Sequence, residues 1–262
     1  MRELPVFDVY SHSVRSIRDN LGFAFQISWP WMLALLPFNI AEHVYLAFHP
    51  MTDLKNQPIG ILAVAWGLGL ITMVVFASIA VMWHRYVLLG EVPSGLARFR
   101  LDGPVWRYVG NTILMALIFV AAGAVAGVIF IILTAISKVL GAIVGVCGGI
   151  ALVFAFISYA MRFGIKLPSV AIGERNYSFG DALRDSTGNF WQFIGLAILI
   201  FLTAIAIALA LGAVTFAVSM ANIEPLLYVS IAVQFFLNWV LTVWNVTVLT
   251  TLYSYFAQGQ AV

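Results

Sequence analysis

The chain has 262 residues, of which 63% are hydrophobic and only 9% charged. With a mean hydropathy of +1.02, it is far too apolar for a water-soluble domain, so it reads as a membrane protein. A formal charge of +2 and basic residues interspersed with acids argue against a nucleic-acid partner. Cys147, the single cysteine, rules out an intrachain disulfide framework and a multi-cysteine zinc site.

Residues 8–20 come first, with Val9, Val14 and Ile17 at spacings compatible with one helical face opposite Arg15, Arg18 and Asp19. An amphipathic helix lying at the membrane interface is expected there. The first apolar run begins only after Asn20 and lacks an A-x-A site at its end, so it is expected to be a retained helix rather than a cleaved signal. Six runs follow, near residues 22–48, 58–83, 108–136, 139–163, 190–219 and 226–256. Each exceeds the roughly 20 apolar residues that cross a hydrocarbon core as a helix. They are continuously apolar and lack the alternation of barrel strands. The fold class is therefore an all-α membrane protein, a six-transmembrane-helix bundle with amphipathic interfacial helices on the cytoplasmic side, forming a single integral membrane domain over residues 1–262.

Arg2, Arg15 and Arg18 precede the first run, and Arg85, Arg98, Arg100 and Arg107 lie between the second and third. Arg162, Lys166, Arg175 and Arg184 lie between the fourth and fifth, leaving only Lys55 and Lys138 for the opposite side. The positive-inside rule then puts both termini in the cytoplasm. Trp29, Trp31, Trp83, Trp106 and Trp191 sit at run ends, where an aromatic belt is expected, and Tyr253 and Tyr255 close the sixth run.

The interfacial pattern recurs before the third run (GLARFRLDGPVWRY), where Pro104 must break a helix or begin one, and before the fifth (SFGDALRDSTGNFWQF). Arg18, Arg100 and Arg184 mark the three copies, which suggests three helix-pair repeats over 8–90, 91–173 and 174–262. Basic loops at roughly equal spacing in any even-numbered bundle would give the same appearance.

Small residues recur inside the runs: Gly123 and Gly127 in the third, Gly141, Gly145 and Gly149 in the fourth, and Ala204, Ala208 and Gly212 in the fifth. Such spacing lets helix backbones approach closely, so these are candidate packing seams within the chain or between chains. In the sixth run Gln234, Asn238, Thr242 and Asn245 share one face. Carboxamides in hydrocarbon need partners, so this face is expected to point into the bundle or a wet cavity. It is either glue between helices or the lining of a solute path shared with Asn39, Asn111, Thr112 and Ser158. Glu42, His43, His49 and Asp53 cluster at the other end of the first run but lack the spacing that puts two metal ligands on one helix face. His84, Arg85, Arg100, Arg162 and Arg184 are candidate contacts to lipid headgroups or helix-end carbonyls. His12 stands beside Ser11 and Ser13 without a triad arrangement, so no catalytic residue, cofactor or metal is expected.

At WHRYVLLGE (Trp83 to Glu91) and from KLPSVAIGE through DALRDSTGNFW (Lys166 to Trp191), the chain resembles the YciC-like family of bacterial inner-membrane proteins. It is similar, too, to the membrane domain fused to some glycerophosphodiester phosphodiesterases, whose catalytic domain has no counterpart here. The resemblance implies a polytopic bacterial inner-membrane protein with lipids around it. Its expected role is that of a non-enzymatic scaffold with a homo-oligomeric or other membrane-protein partner, the alternative being a small-solute channel or transporter.

Overall fold

A computed structural model describes residues 2–48, 59–92, 99–220 and 224–260. Every regular element among them is helical: α1 (Val6–Asp19), α2 (Leu21–Phe48), α3 (Ile59–Leu89), α4 (Gly103–Ile136) and α5 (Lys138–Ile143). A π-helical turn (Val144–Gly148) leads into α6 (Gly149–Gly164), then come α7 (Lys166–Ile172), α8 (Phe179–Asp185), α9 (Phe190–Met220) and α10 (Glu224–Phe256). Among the described residues, six stretches are long and apolar enough to span a bilayer, namely Leu21–Phe38, Trp66–Leu89, Gly103–Ile136, Lys138–Ile172, Phe190–Ala217 and Phe236–Phe256. The protein is a multi-pass, all-α membrane bundle.

The helix boundaries follow local chemistry. Pro104 occupies the first turn of α4, where its missing N–H breaks no hydrogen bond, so it begins that helix. Residues 99–102 ahead of it are not helical, and residues 93–98 lie outside the described residues. Ser137 takes an extended conformation that ends α4 and caps α5 by accepting from the Leu140 N–H, which folds the third and fourth spans into a hairpin. Ser178 and Asp181 form a reciprocal capping box that starts α8. Ahead of the first and fifth spans the described entries differ in length, with 14 helical residues in α1 and seven in α8.

Among the described residues, packing is concentrated at the end of the bundle where the basic segments gather. Half of the most apolar window of α10 is buried, against none of that in α4, so α10 is central and the α4 hairpin peripheral. One core cluster joins Ile27, Trp83, Phe193, Trp244 and Leu252, and a second joins Val81, Val105, Val109 and Ala171. Beyond Val109 on α4 and Leu196 on α9, no described residue of those helices is buried.

α1 is an amphipathic helix, but its inner face is Val9, Ser13 and Ile17, one turn apart on each step, and Val14 is exposed. It packs on protein rather than lying only on lipid, because Ser13 Oγ accepts the Trp244 indole N–H at 2.9 Å and the Tyr10 hydroxyl meets Thr203 Oγ1 at 2.8 Å. Trp83 was expected in the aromatic belt. It is instead fully buried, because α3 continues beyond it to Leu89. Trp106 and Trp191 are exposed at the basic ends of their spans, as interfacial rings are.

Candidate functional site

Two places hold polar groups that the fold positions: the basic end of the bundle, and the flank of α10 inside the apolar layer. At the basic end, Arg85 reaches across from α3 to the Glu91 carboxylate through Nε at 2.7 Å and also donates to the Ala171 carbonyl at 3.2 Å. That carbonyl belongs to the last turn of α7, so the guanidinium caps a helix C-terminus. Arg100 holds the other Glu91 oxygen at 3.0 Å and Asp102 at 2.6 Å, making a chain of four charges. Arg85, first, and then Arg100 keep the Glu91 carboxyl below its usual range. Arg162 donates to Ser186 Oγ at 2.9 Å and the Leu183 carbonyl at 2.7 Å, tying α6 to α8. Arg184 points outward and pairs with Asp181 at 2.7 Å. The Asp181 carboxyl is lowered mainly by its hydrogen bonds with Ser178 in the capping box.

His84 does not meet headgroups. It is wholly buried, with Nδ1 2.8 Å from Thr250 Oγ1 and Nε2 3.4 Å from the Tyr108 hydroxyl. The Thr250 proton goes to the Val246 carbonyl, so Thr250 accepts from Nδ1–H, and Nε2 is left to accept from Tyr108. The ring links α3, α4 and α10.

On α10, Asn238 and Asn245 are exposed on the flank and do not point into the bundle. The inward face of this helix is taken by Trp239, Val243, Trp244, Thr247, Thr250 and Thr251. Asn245 Nδ2 donates to the Leu241 carbonyl at 2.9 Å and Thr242 Oγ1 to the Asn238 carbonyl at 2.9 Å, so the threonine satisfies its hydroxyl proton on its own helix while Asn245 uses one of its two amide protons there. Among the described residues, the Asn238 carboxamide has no hydrogen-bond partner. It lines a shallow groove with Ala204, Ala208 and Gly212 of α9. Gln234 lies one turn earlier on α10.

Three of the side chains that could share a solute path with this face are engaged elsewhere. Asn111 and Thr112 bond to carbonyls of α4, and Ser158 donates to Phe190 O at 3.3 Å. Asn39, Glu42 and His43 belong to α2, while His49, Asp53 and Lys55 lie outside the described residues. His12 is exposed on α1.

The candidate glycines separate into two groups. A Cβ on Gly141 would come within 2.7 Å of Thr134 Cα, and one on Gly145 within 2.7 Å of the Phe130 ring, so both seat the hairpin. A Cβ on Gly123 would make ordinary contact with Phe156, whereas one on Gly127 or Gly149 would meet no atom within 4 Å. Gly164, which sequence spacing did not single out, lies against Leu249 with 2.8 Å for a Cβ.

The pairing of His84 with Thr250 and of Trp244 with Ser13 inside the protein is a further feature that the apolar pattern of the spans conceals. Its signal is the recurrence of Val243, Thr247, Thr250 and Thr251 on one face of α10, which competes with the amide stripe. Comparison of the chain with family models, curated proteins and solved structures finds no match.

Proposed function

We propose that this protein is a non-catalytic scaffold of the bacterial inner membrane, with both termini in the cytoplasm, and that it binds a partner helix inside the bilayer. The outward-facing carboxamides on α10 carry the reading. Asn238 and Asn245 lie within the apolar stretch Phe236–Phe256 and are exposed on the flank of the bundle. Facing lipid, an amide group forfeits hydrogen bonds that a neighbouring polar helix supplies. The small side chains of Ala204, Ala208 and Gly212 beside Asn238 leave room for a backbone to approach. The partner is a second copy of the chain or another membrane protein presenting an amide or hydroxyl.

Cross-linking in native membranes tests this, with N238L/N245L compared to the unaltered chain. The altered protein keeps its thermal stability in detergent and loses the cross-linked complex, and vesicles carrying the unaltered protein stay tight to small solutes. Solute flux that disappears in N238L/N245L would instead assign the face to transport.

A further inference from the structure

We propose that a cleft between the start of α4 and the turn after α7 binds a phosphate group, that of an anionic phospholipid headgroup in preference to a free phosphate. This site is separate from the α10 flank and does not rest on the scaffold reading. Arg107, Asn111, Lys166, Gly173, Glu174 and Arg175 line it, so three cations from different parts of the chain meet one carboxylate.

That carboxylate is already engaged. The Tyr253 hydroxyl donates to Glu174, turning its negative charge toward α10. Lys166 Nζ donates to the Tyr177 carbonyl at 2.9 Å, which leaves two of its three ammonium protons for another acceptor. Arg107 and Arg175 are exposed and have neither an ion pair nor a side-chain hydrogen bond among the described residues. Arg85, Arg100, Arg162 and Arg184 are all engaged by carboxylates, hydroxyls or carbonyls. Two unpaired guanidiniums beside an ammonium match the oxygens of a phosphate, which accepts paired N–H donors.

The geometry is fixed by the backbone. Gly173 ends α7 with φ +88°, and the Glu174 N–H returns to the Ser169 carbonyl at 2.9 Å, a closed turn that holds Arg175 beside α4. The cleft also sits at headgroup depth. Arg107 is in the opening turns of a membrane span, next to the exposed Trp106, and α4 continues from Asn111 to exposed Leu114 and Ile118 on the same side. An acyl chain has an apolar flank to follow from a phosphate held at Arg107.

The test titrates the intact chain in an uncharged detergent with phosphatidylglycerol, phosphatidylcholine or inorganic phosphate and reads the shift in melting temperature. Phosphatidylglycerol raises it at lower concentration than phosphatidylcholine does. R107Q/R175Q weakens the apparent phosphatidylglycerol affinity by roughly thirtyfold, on the order of 1 kcal/mol per surface cation, and each single change has about half that effect in logarithmic terms. R15Q/R18Q on α1 removes the same charge and changes affinity less than about threefold. Equal loss in the two double variants, or none in either, overturns the proposal. Inorganic phosphate that competes with phosphatidylglycerol in an Arg107-dependent way keeps the phosphate chemistry but overturns the preference for lipid. Should R107Q/R175Q fail to fold, the single changes R107Q and R175Q decide the matter by the same comparison.

Discussion

The two ends of the spans are built from different materials. At the basic end, Trp83, Trp244, His84, Ser13 and Thr250 interlock with ion pairs around Glu91. In the opposite half, α4, α6 and α9 present Ile, Val, Ala and Gly outward, and Gly141 is the one residue of the α4–α5 corner that is buried. The contrast shows where hydrocarbon leaves a fold unspecified. Apolar side chains gain little by leaving lipid for protein, so uniqueness falls to close packing, hydrogen bonds and paired charges. Among the described residues, those are gathered at one end.

The sharpest way to break this contrast is to empty the packed end. Trp83→Ala lowers unfolding stability by about 3–5 kcal/mol, while Leu117→Ala in the exposed half of α4 changes it by less than about 0.5 kcal/mol. Unfolding in mixed micelles measures both, and similar losses would erase the distinction. Trp83→Phe refines it, because the Trp83 indole N–H has no partner. Retaining most of the ring costs less than about 1.5 kcal/mol.

Next in size is the hairpin corner. Gly141→Ala forces the α4 backbone aside at Thr134 and costs about 1–3 kcal/mol. Gly127→Ala, which meets nothing within 4 Å, is neutral or stabilising by up to about 1 kcal/mol through helix propensity. Thermal unfolding of the two variants side by side reads the difference. Ser13→Ala strands the Trp244 indole N–H at a cost of about 1–2 kcal/mol. The loss also appears as a changed tryptophan emission.

The smallest effect is that of acid. The Glu91 carboxyl titrates lower in the folded protein than the ordinary 4.5 of a free glutamate, so its ion pairs stabilise the fold above that pH and are lost as pH falls through the folded value. Glu91 is partly exposed, which keeps the contribution below about 1 kcal/mol. Glu91→Gln removes that part of the acid dependence, and a pH series of melting temperatures reads it.

Much of this architecture is legible in the sequence, and the reason is composition. Six spans follow from length and apolarity, the gathering of basic segments at one end from where arginines fall, and α4 from Pro104. What was not legible is which side of each span faces protein. On a span that is apolar all round, the lipid side and the core side carry the same residues, so periodicity is silent. Trp83 illustrates this, since a tryptophan beside His84 and Arg85 reads as an interfacial ring until the helix is seen to continue past it. On α10 two polar stripes compete, and the carboxamides, the more polar pair, look like the buried one. Thr250 and Thr251 are buried instead, because a hydroxyl can return its proton to the preceding turn. The helix α7 was hidden inside a segment read only as a connection.

The seat of α1 is made by α9 and α10, which leave the ribosome long after it, and Arg2 bonds to the Tyr255 carbonyl at 2.8 Å. Most of the protein surface on which α1 docks is therefore absent when α1 emerges. Its inner face stays uncovered until both later helices are made, and only the arrival of α10 lets Trp244 close over Ser13.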